Sequence, residues 1–358
     1  MKKASVFVRC GARVLGACLA LAPWAVLAQT PGIDVAPPTD ADALLGEQYC
    51  FDATLTNTGT PGYGPYLRVM LPPELSFDSA SLFDANLTVV ANSVFPGTAP
   101  AASSLTDPLF LPATAPGNEV AGTAGWRLVI LQLPLGSVVQ DGPDLVTEIC
   151  VTSGNAPPSL AAIGTPYPIA ITPIHRYGDT PTGANGSIVG TTQTPTLTPE
   201  VLLFHKDNTA PENERPPGSA WTYNYVLRVD IASGALINPL LIADVLPGNV
   251  QFVGPVSIAG GDGCSVTAQP SASTPGGNVE VTCTGNTLGS GADDDVVVRF
   301  PVYITDILAE NTCGTQLLEN TASVGASYLP PSAAPIVLTP VTDTSEVTAR
   351  HVAVQKYA

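Results

Sequence analysis

Lysine is almost missing from this sequence. Positions 2, 3, 206 and 356 hold the only four lysines in 358 residues. Charged residues of every kind make up 12%, and histidine occurs three times. With 13 basic residues against 30 acidic ones, the chain lacks the clustered positive charge that nucleic acid or an anionic lipid surface requires. The usual catalytic signatures are absent as well: no Gly-x-Ser-x-Gly, His-Glu-x-x-His or phosphate-binding loop occurs. His175, His205 and His351 each fall near an inter-domain segment or a strand start, away from any serine or cysteine in a nucleophile motif. No Cys-x-x-Cys occurs, so no zinc or dithiol redox site is expected. Helix signals are scarce, and after the first 28 residues no apolar run is long enough to cross a bilayer. The expectation is a protein that is not an enzyme.

What the chain does have is apolar surface broken into short pieces. Hydrophobic residues are 45% of the total and the mean hydropathy is +0.25, which excludes ordinary disorder. The 36 prolines and 33 glycines punctuate runs rich in Val, Thr and Ser. Many short strands between turn residues predict an all-β sandwich, and the length allows about two domains.

Residues 1–28 read as a secretory signal peptide. Lys2, Lys3, Arg9 and Arg13 form a basic start, Val14 to Val26 is an apolar stretch too short to span a membrane, and Val26-Leu27-Ala28 offers small residues for cleavage before Gln29. Leu15-Gly-Ala-Cys18 faintly resembles a lipoprotein box, but only Val14 separates it from Arg13, so simple cleavage is the better reading. Cleavage would leave 9 basic and 30 acidic residues, a net charge of −21, which suits an exported, soluble chain.

The stretch from Trp221 to Val253 carries the clearest pattern. Trp221, Tyr223, Tyr225, Leu227, Val229 and Ile231 fall on alternate positions, as in a strand with one face inward. A Ser-Gly turn and an apolar run closing on Asp244-Val-Leu-Pro247 follow. The same unit occurs earlier. Tyr49, Phe51, Ala53 and Leu55 alternate, and a Pro/Gly loop leads to Tyr66-Leu-Arg-Val-Met-Leu-Pro72. The spacing is 22 residues from Tyr49 to Leu71 and 23 from Tyr223 to Leu246, and Leu75-Ser-Phe77 then matches Val250-Gln-Phe252. A loop tolerates one extra residue, whereas a slip inside a strand turns every side chain over, so the match indicates an internal repeat.

The resulting organisation is a lead-in at 29–46, a first, divergent sandwich at 47–175, a linker or last hairpin at 176–198, and a second sandwich at 199–350. Inside the first, 90–123 reads as a long loop or loosely paired strands. Val352-Ala-Val-Gln-Lys-Tyr357 resembles Val201-Leu-Leu-Phe-His-Lys206, so 351–358 is expected to begin a third repeat, as in a fragment of a longer array or a gene broken by a frameshift. Five cysteines follow the leader. In an exported protein Cys50 is expected to pair with Cys150 and Cys264 with Cys283, leaving Cys313 over unless it displaces a neighbour.

The wording of the repeat resembles a prokaryotic conserved-repeat family, domain of unknown function number eleven. Asn57-Thr-Gly59 matches in the first module, and Asp244-Val-Leu-Pro247 and Asn320-Thr-Ala322 match in the second. The first module lacks the Asp before its Leu-Pro, where Val69-Met70 stand, and departs after residue 90. The resemblance covers about 198–350 well and 47–77 moderately. It implies tandem Ig-like antiparallel β-sandwiches in large acidic surface or secreted proteins, and it implies no single ligand.

Three candidate sites remain. Asp293, Asp294 and Asp295, with Asp262 and Asp306, could supply oxygen ligands for Ca²⁺, although an acidic turn is the plainer reading and no loop has calcium-hand spacing. Lys206 and Asn320 lie in the first and a late strand of the second module, positions at which some surface Ig-like sandwiches form an intramolecular isopeptide bond assisted by a carboxylate, here Asp244 or Glu319. The sequence favours the ordinary alternative, a solvated strand-end lysine and an asparagine bonded to backbone. Trp126, Trp221, Tyr223 and Tyr225 sit mostly on alternating core faces, which argues against an exposed aromatic platform for glycans. The expected function is a structural or adhesive repeat without cofactor. The alternative is a module that binds a protein or glycan at the cell exterior for a larger secreted complex.

Overall fold

The computed structural model describes residues 33–36, 41–57, 59–97, 102–113, 118–156, 158–178, 184–291, 294–305, 315–331 and 333–350. The signal peptide, Cys313, Asp293, Asp306 and the third-repeat segment 351–358 lie outside the described residues. The protein is all-β, and the described residues hold two antiparallel sandwiches in tandem.

The second sandwich is the simpler. One sheet runs Leu202–Asn208, Tyr223–Ile231, Val296–Ile304, Val250–Phe252. The other runs Val341–Arg350, Thr315–Tyr328, Leu236–Leu246, Gly277–Cys283, Cys264–Ala268. In immunoglobulin letters these sheets are A-B-E-D and G-F-C, with two strands added beyond C. Alternation buries one face of each strand. Tyr223, Tyr225, Leu227, Val229 and Ile231 meet Ile242, Leu246, Val281, Val324 and Val347 in one core.

The first sandwich repeats that order strand for strand. Its sheets run Ile33–Ala36, Gln48–Asn57, Leu145–Ser153, Leu75–Leu82, and Ala184–Val189, Ala170–Gly178, Gly62–Leu71, Arg127–Gln132, Thr88–Val94. Register is kept too: Cys50 faces Cys150, and the matching pair of the second module is Asn224 facing Pro301. The lead-in therefore supplies an edge strand, and residues after 176 form a hairpin rather than a plain linker.

One feature departs from the sequence reading and another goes beyond it. Trp221 is not on the inward face. The strand begins at Tyr223, and Trp221 sits in the turn closed by its N–H to the Gly218 carbonyl (3.0 Å), with 49% of its surface exposed. Ladder pairing is what enforces alternation, and it has not begun there. Residues 90–123 take the paired-strand form of the reading and also add a layer. The hairpin Ala102–Thr106/Glu119–Thr123 contributes to a second core of Tyr66, Phe95, Val120, Leu128, Ile130 and Ile174. That extra layer is why Leu128, Val129, Ile130 and Leu131 are all buried. Asp107 pins it, accepting from Arg68 Nε (2.6 Å), Tyr66 Oη (2.9 Å) and the Leu109 N–H (2.9 Å).

His175 is fully buried with its ring against Gly62 and with neither ring nitrogen bonded. Burial alone holds its pKa down at about 4 against an ordinary 6.5. The unfolded chain thus binds a proton that the folded one rejects, so this group costs stability as pH falls from about 6.5 to about 4, by roughly 3 kcal/mol in all. A His175→Phe variant should show a flatter loss of stability over that window in urea titrations. An unchanged acid limb would refute the assignment.

The modules are joined by a small sheet. Ala41–Leu44 pairs in parallel with Thr196–Glu200, which also pairs with Tyr167–Pro168. Leu44, Leu45 and Ala161 enter the core of the second sandwich, and the Ser233 N–H donates to Glu47 Oε1 (3.0 Å).

Candidate functional site

Polar side chains break the apolar inward faces of the second sandwich, Lys206, Asp244 and Asn320 among them. Along Leu202–Asn208 the buried positions are Leu202, Phe204 and Lys206. Along Leu236–Leu246, Asp244 shares its face with Leu240, Ile242 and Leu246. Along Thr315–Tyr328, Asn320 shares its face with Leu318, Ala322 and Val324. Period-two geometry thus aims all three into the core. Their relative exposures are 3% for Lys206, 0% for Asp244 and 1% for Asn320.

Lys206 Nζ donates to Asp244 Oδ2 at 2.6 Å across the two sheets. The same Nζ lies 4.6 Å from the centre of the Tyr225 ring, which roofs the pair, and the Tyr223 hydroxyl donates to that of Tyr225 (3.3 Å). The Lys206 backbone N–H donates to Asp343 Oδ2 (2.7 Å), tying this edge strand to the outer strand of the facing sheet. Register sets Asp244 opposite Ala322, so Asn320 stands one diagonal step away on the same face. It is near enough for its amide to favour the ionised forms of Asp244 and Tyr225. Yet neither Asn320 amide atom, nor Asp244 Oδ1, makes a hydrogen bond. Buried polar groups are normally paired, so three unsatisfied atoms in one spot are unusual.

Desolvation dominates the electrostatics. It pulls the Lys206 amine down to about 8, with Asp244 and Asp343 opposing, and pushes the Asp244 carboxyl up against the opposing pull of Lys206. Tyr223 is pushed up to about 12 by burial and Tyr225 further still, so both hydroxyls stay neutral. The cluster can therefore hold one proton between an amine and a carboxylate, beside an amide with no other partner.

Lys206 is buried within its strand rather than solvated at the end of it, because pairing runs on to Asn208, opposite Tyr225. Asn320 does not use its side chain to bond backbone. Of the two expected carboxylates, Glu319 points outward and Asp244 inward, as strand parity requires. Alternation from Leu202 and Phe204 was the signal that placed Lys206 inside.

The other expected sites lie elsewhere. Cys50–Cys150 and Cys264–Cys283 are disulfides, each between directly opposed residues of neighbouring strands. Of the calcium candidates, Asp294 is engaged by Arg228, and Asp295 accepts from the Ile231 N–H (2.9 Å), the Ser290 N–H (2.9 Å) and Ser290 Oγ (2.6 Å). These carboxylates brace a turn. Asp262 accepts through its backbone carbonyl from the Gly285 N–H (3.0 Å).

No family model and no curated protein matches the chain. Solved structures similar to it include the full-length major pilin SpaD from Corynebacterium diphtheriae, at 17% identity over 81% of this chain and 62% of the pilin, with a TM-score of 0.29. A collagen-binding domain of a Staphylococcus aureus adhesin matches at 12% identity over 40% of this chain and 96% of that domain, TM-score 0.24. The major pilin subunit BcpA of Bacillus cereus matches at 8% identity over 90% of this chain and 66% of the pilin, TM-score 0.26. Overlays this loose carry no argument about function.

Proposed function

We propose that the chain is a non-enzymatic structural or adhesive repeat of an exported bacterial protein, surface-exposed or secreted. The observation that carries this reading is the duplication of one strand order and register in two sandwiches, each with its own disulfide and spliced by a shared sheet. Serial modules held covalently and by cores suit a mechanical role outside the cell, where disulfides persist. The acidic composition and the basic, apolar leader agree with export. Among the described residues no helix is long and apolar enough to cross a membrane. Membership of the conserved-repeat family is part of the same proposal and rests on the Asp-x-Leu-Pro and Asn-Thr-Ala wording.

The second reading, a module binding an extracellular protein or glycan, draws on Trp221, whose ring is half-exposed. A single ring is less than the platform that stacking on a sugar surface uses. Antibodies raised against the folded chain should label intact, unpermeabilised cells of the producing bacterium or precipitate the protein from the medium. Signal only after lysis would sink the proposal.

A further inference from the structure

The buried lysine, carboxylate and amide have no role in holding a sandwich together that apolar side chains would not fill better. The first module shows this directly. Register places Val69 where the second has Asp244, because each lies two residues before the Leu that ends its strand, and Ile171 opposite Val69 where the second has Ala322. One step along, Ile169 stands where the second module has Asn320, and Val69, Ile169 and Ile171 are all buried. The same architecture thus closes without polar atoms here. The first module carries its Cys50–Cys150 bond elsewhere, at a pair that is Asn224 and Pro301 in the second.

We propose that Lys206 and Asn320 are joined by a self-formed isopeptide bond between Nζ and Cγ, with Asp244 moving the protons. Register, burial and unpaired atoms carry the inference, with Asn320 one diagonal step from Asp244 on the same inward face. The nucleophile and the proton carrier are in contact at 2.6 Å in a site closed to water. The electrophile is an amide whose nitrogen and oxygen are both free of other bonds, so nothing competes for either during reaction. The free Asp244 Oδ1 is available to the amide while Oδ2 holds the amine. Burial depresses the amine pKa and raises that of the acid, so transfer of the proton from Nζ to Asp244 gives the neutral amine and neutral acid that the step needs.

Atoms balance without a cofactor. The Nζ lone pair attacks Cγ, and the oxygen that gathers negative charge accepts a hydrogen bond from protonated Asp244. One Nζ proton passes through Asp244 to Nδ2. The Cγ–Nδ2 bond breaks, ammonia leaves, and a secondary amide remains. No oxidant or water is consumed. The product removes the buried charge of Lys206 and the stranded amide nitrogen together, and it stitches the edge strand of one sheet to the facing sheet, where the sandwich lacks ladder hydrogen bonds. The inference does not depend on where the protein is located.

The test is mass spectrometry of the purified full chain, reduced. The folded protein should weigh about 17 Da less than its sequence, and a tryptic digest should yield a branched peptide joining the segments around Lys206 and Asn320, with Lys206 resistant to cleavage. If export leaves Gln29 at the amino terminus, its cyclisation also releases ammonia, so the branched peptide decides, not the mass alone. Lys206→Met and Asn320→Ala, with folding checked by circular dichroism, should each lose the branch and run more slowly than wild type on a reducing denaturing gel. Folded wild-type protein without the branched peptide would overturn the proposal. So would a branch that persists in Lys206→Met.

Discussion

Replacing Asp244 by alanine is expected to lower the stability of the second sandwich by about 3–5 kcal/mol, the cost of leaving a buried charge without its partner. Lys206 would then face only the Tyr225 ring and the more distant Asp343. Its amine would have to deprotonate or drag water into the core. Lys206→Met combined with Asp244→Val should restore much of the loss, since apolar side chains of similar volume commonly replace buried ion pairs without penalty, and Val69 already does so in the first module. Urea midpoints for the three proteins measure this. A single variant as stable as wild type would show that the pair is not buried as described. Where the isopeptide has formed, the double variant should stay below wild type, because a covalent link between positions 206 and 320 closes a loop of over 100 residues, worth about 4–5 kcal/mol in the chain-entropy model.

The second large effect is expected at Cys50–Cys150. Their separation of 100 residues makes this the long loop of the two disulfides, against 19 for Cys264–Cys283. Loop-closure entropy gives about 4.7 kcal/mol for the first and about 3 kcal/mol for the second. Changing both Cys50 and Cys150 to serine should therefore lower the melting temperature of the first sandwich by about 10–20 °C, and the matching change at Cys264 and Cys283 should do less to the second. Differential scanning calorimetry of the two variants would show it. Equal shifts, or the reverse order, would mean that native-state contacts rather than the denatured chain set the contribution.

Much of this was legible in the sequence, and what was not has identifiable causes. The inward positions of Tyr223 to Ile231 follow from alternation, and the internal repeat follows from two Leu-Pro strand ends at matched spacing. Both are local signals. Trp221 defeated the pattern because it precedes the first paired residue, where nothing enforces parity. The hairpin at 102–123 was unreadable as an outer layer because its partners, Tyr66, Leu128 and Ile174, are scattered through distant strands. Lys206 was placed in the right strand but at its end, since polar Asp207 and Asn208 disguise two further paired residues. The choice between Asp244 and Glu319 was open to counting: Glu319 is one residue out of phase with Leu318 and Asn320.

The parallel pairing of Ala41–Leu44 with Thr196–Glu200 has a consequence for how load passes along the chain. Modules on a slack tether swing independently, and a pull first straightens the tether, an entropic spring with little resistance. Here the segment between the first two strands of the first sandwich lies hydrogen-bonded beside the segment entering the second, and Leu44 and Leu45 are embedded in the far core. Slack at that point is already taken up. Bending one sandwich against the other must shear a ladder and unpack leucines, so the joint behaves as a splice in a beam rather than as a link in a chain.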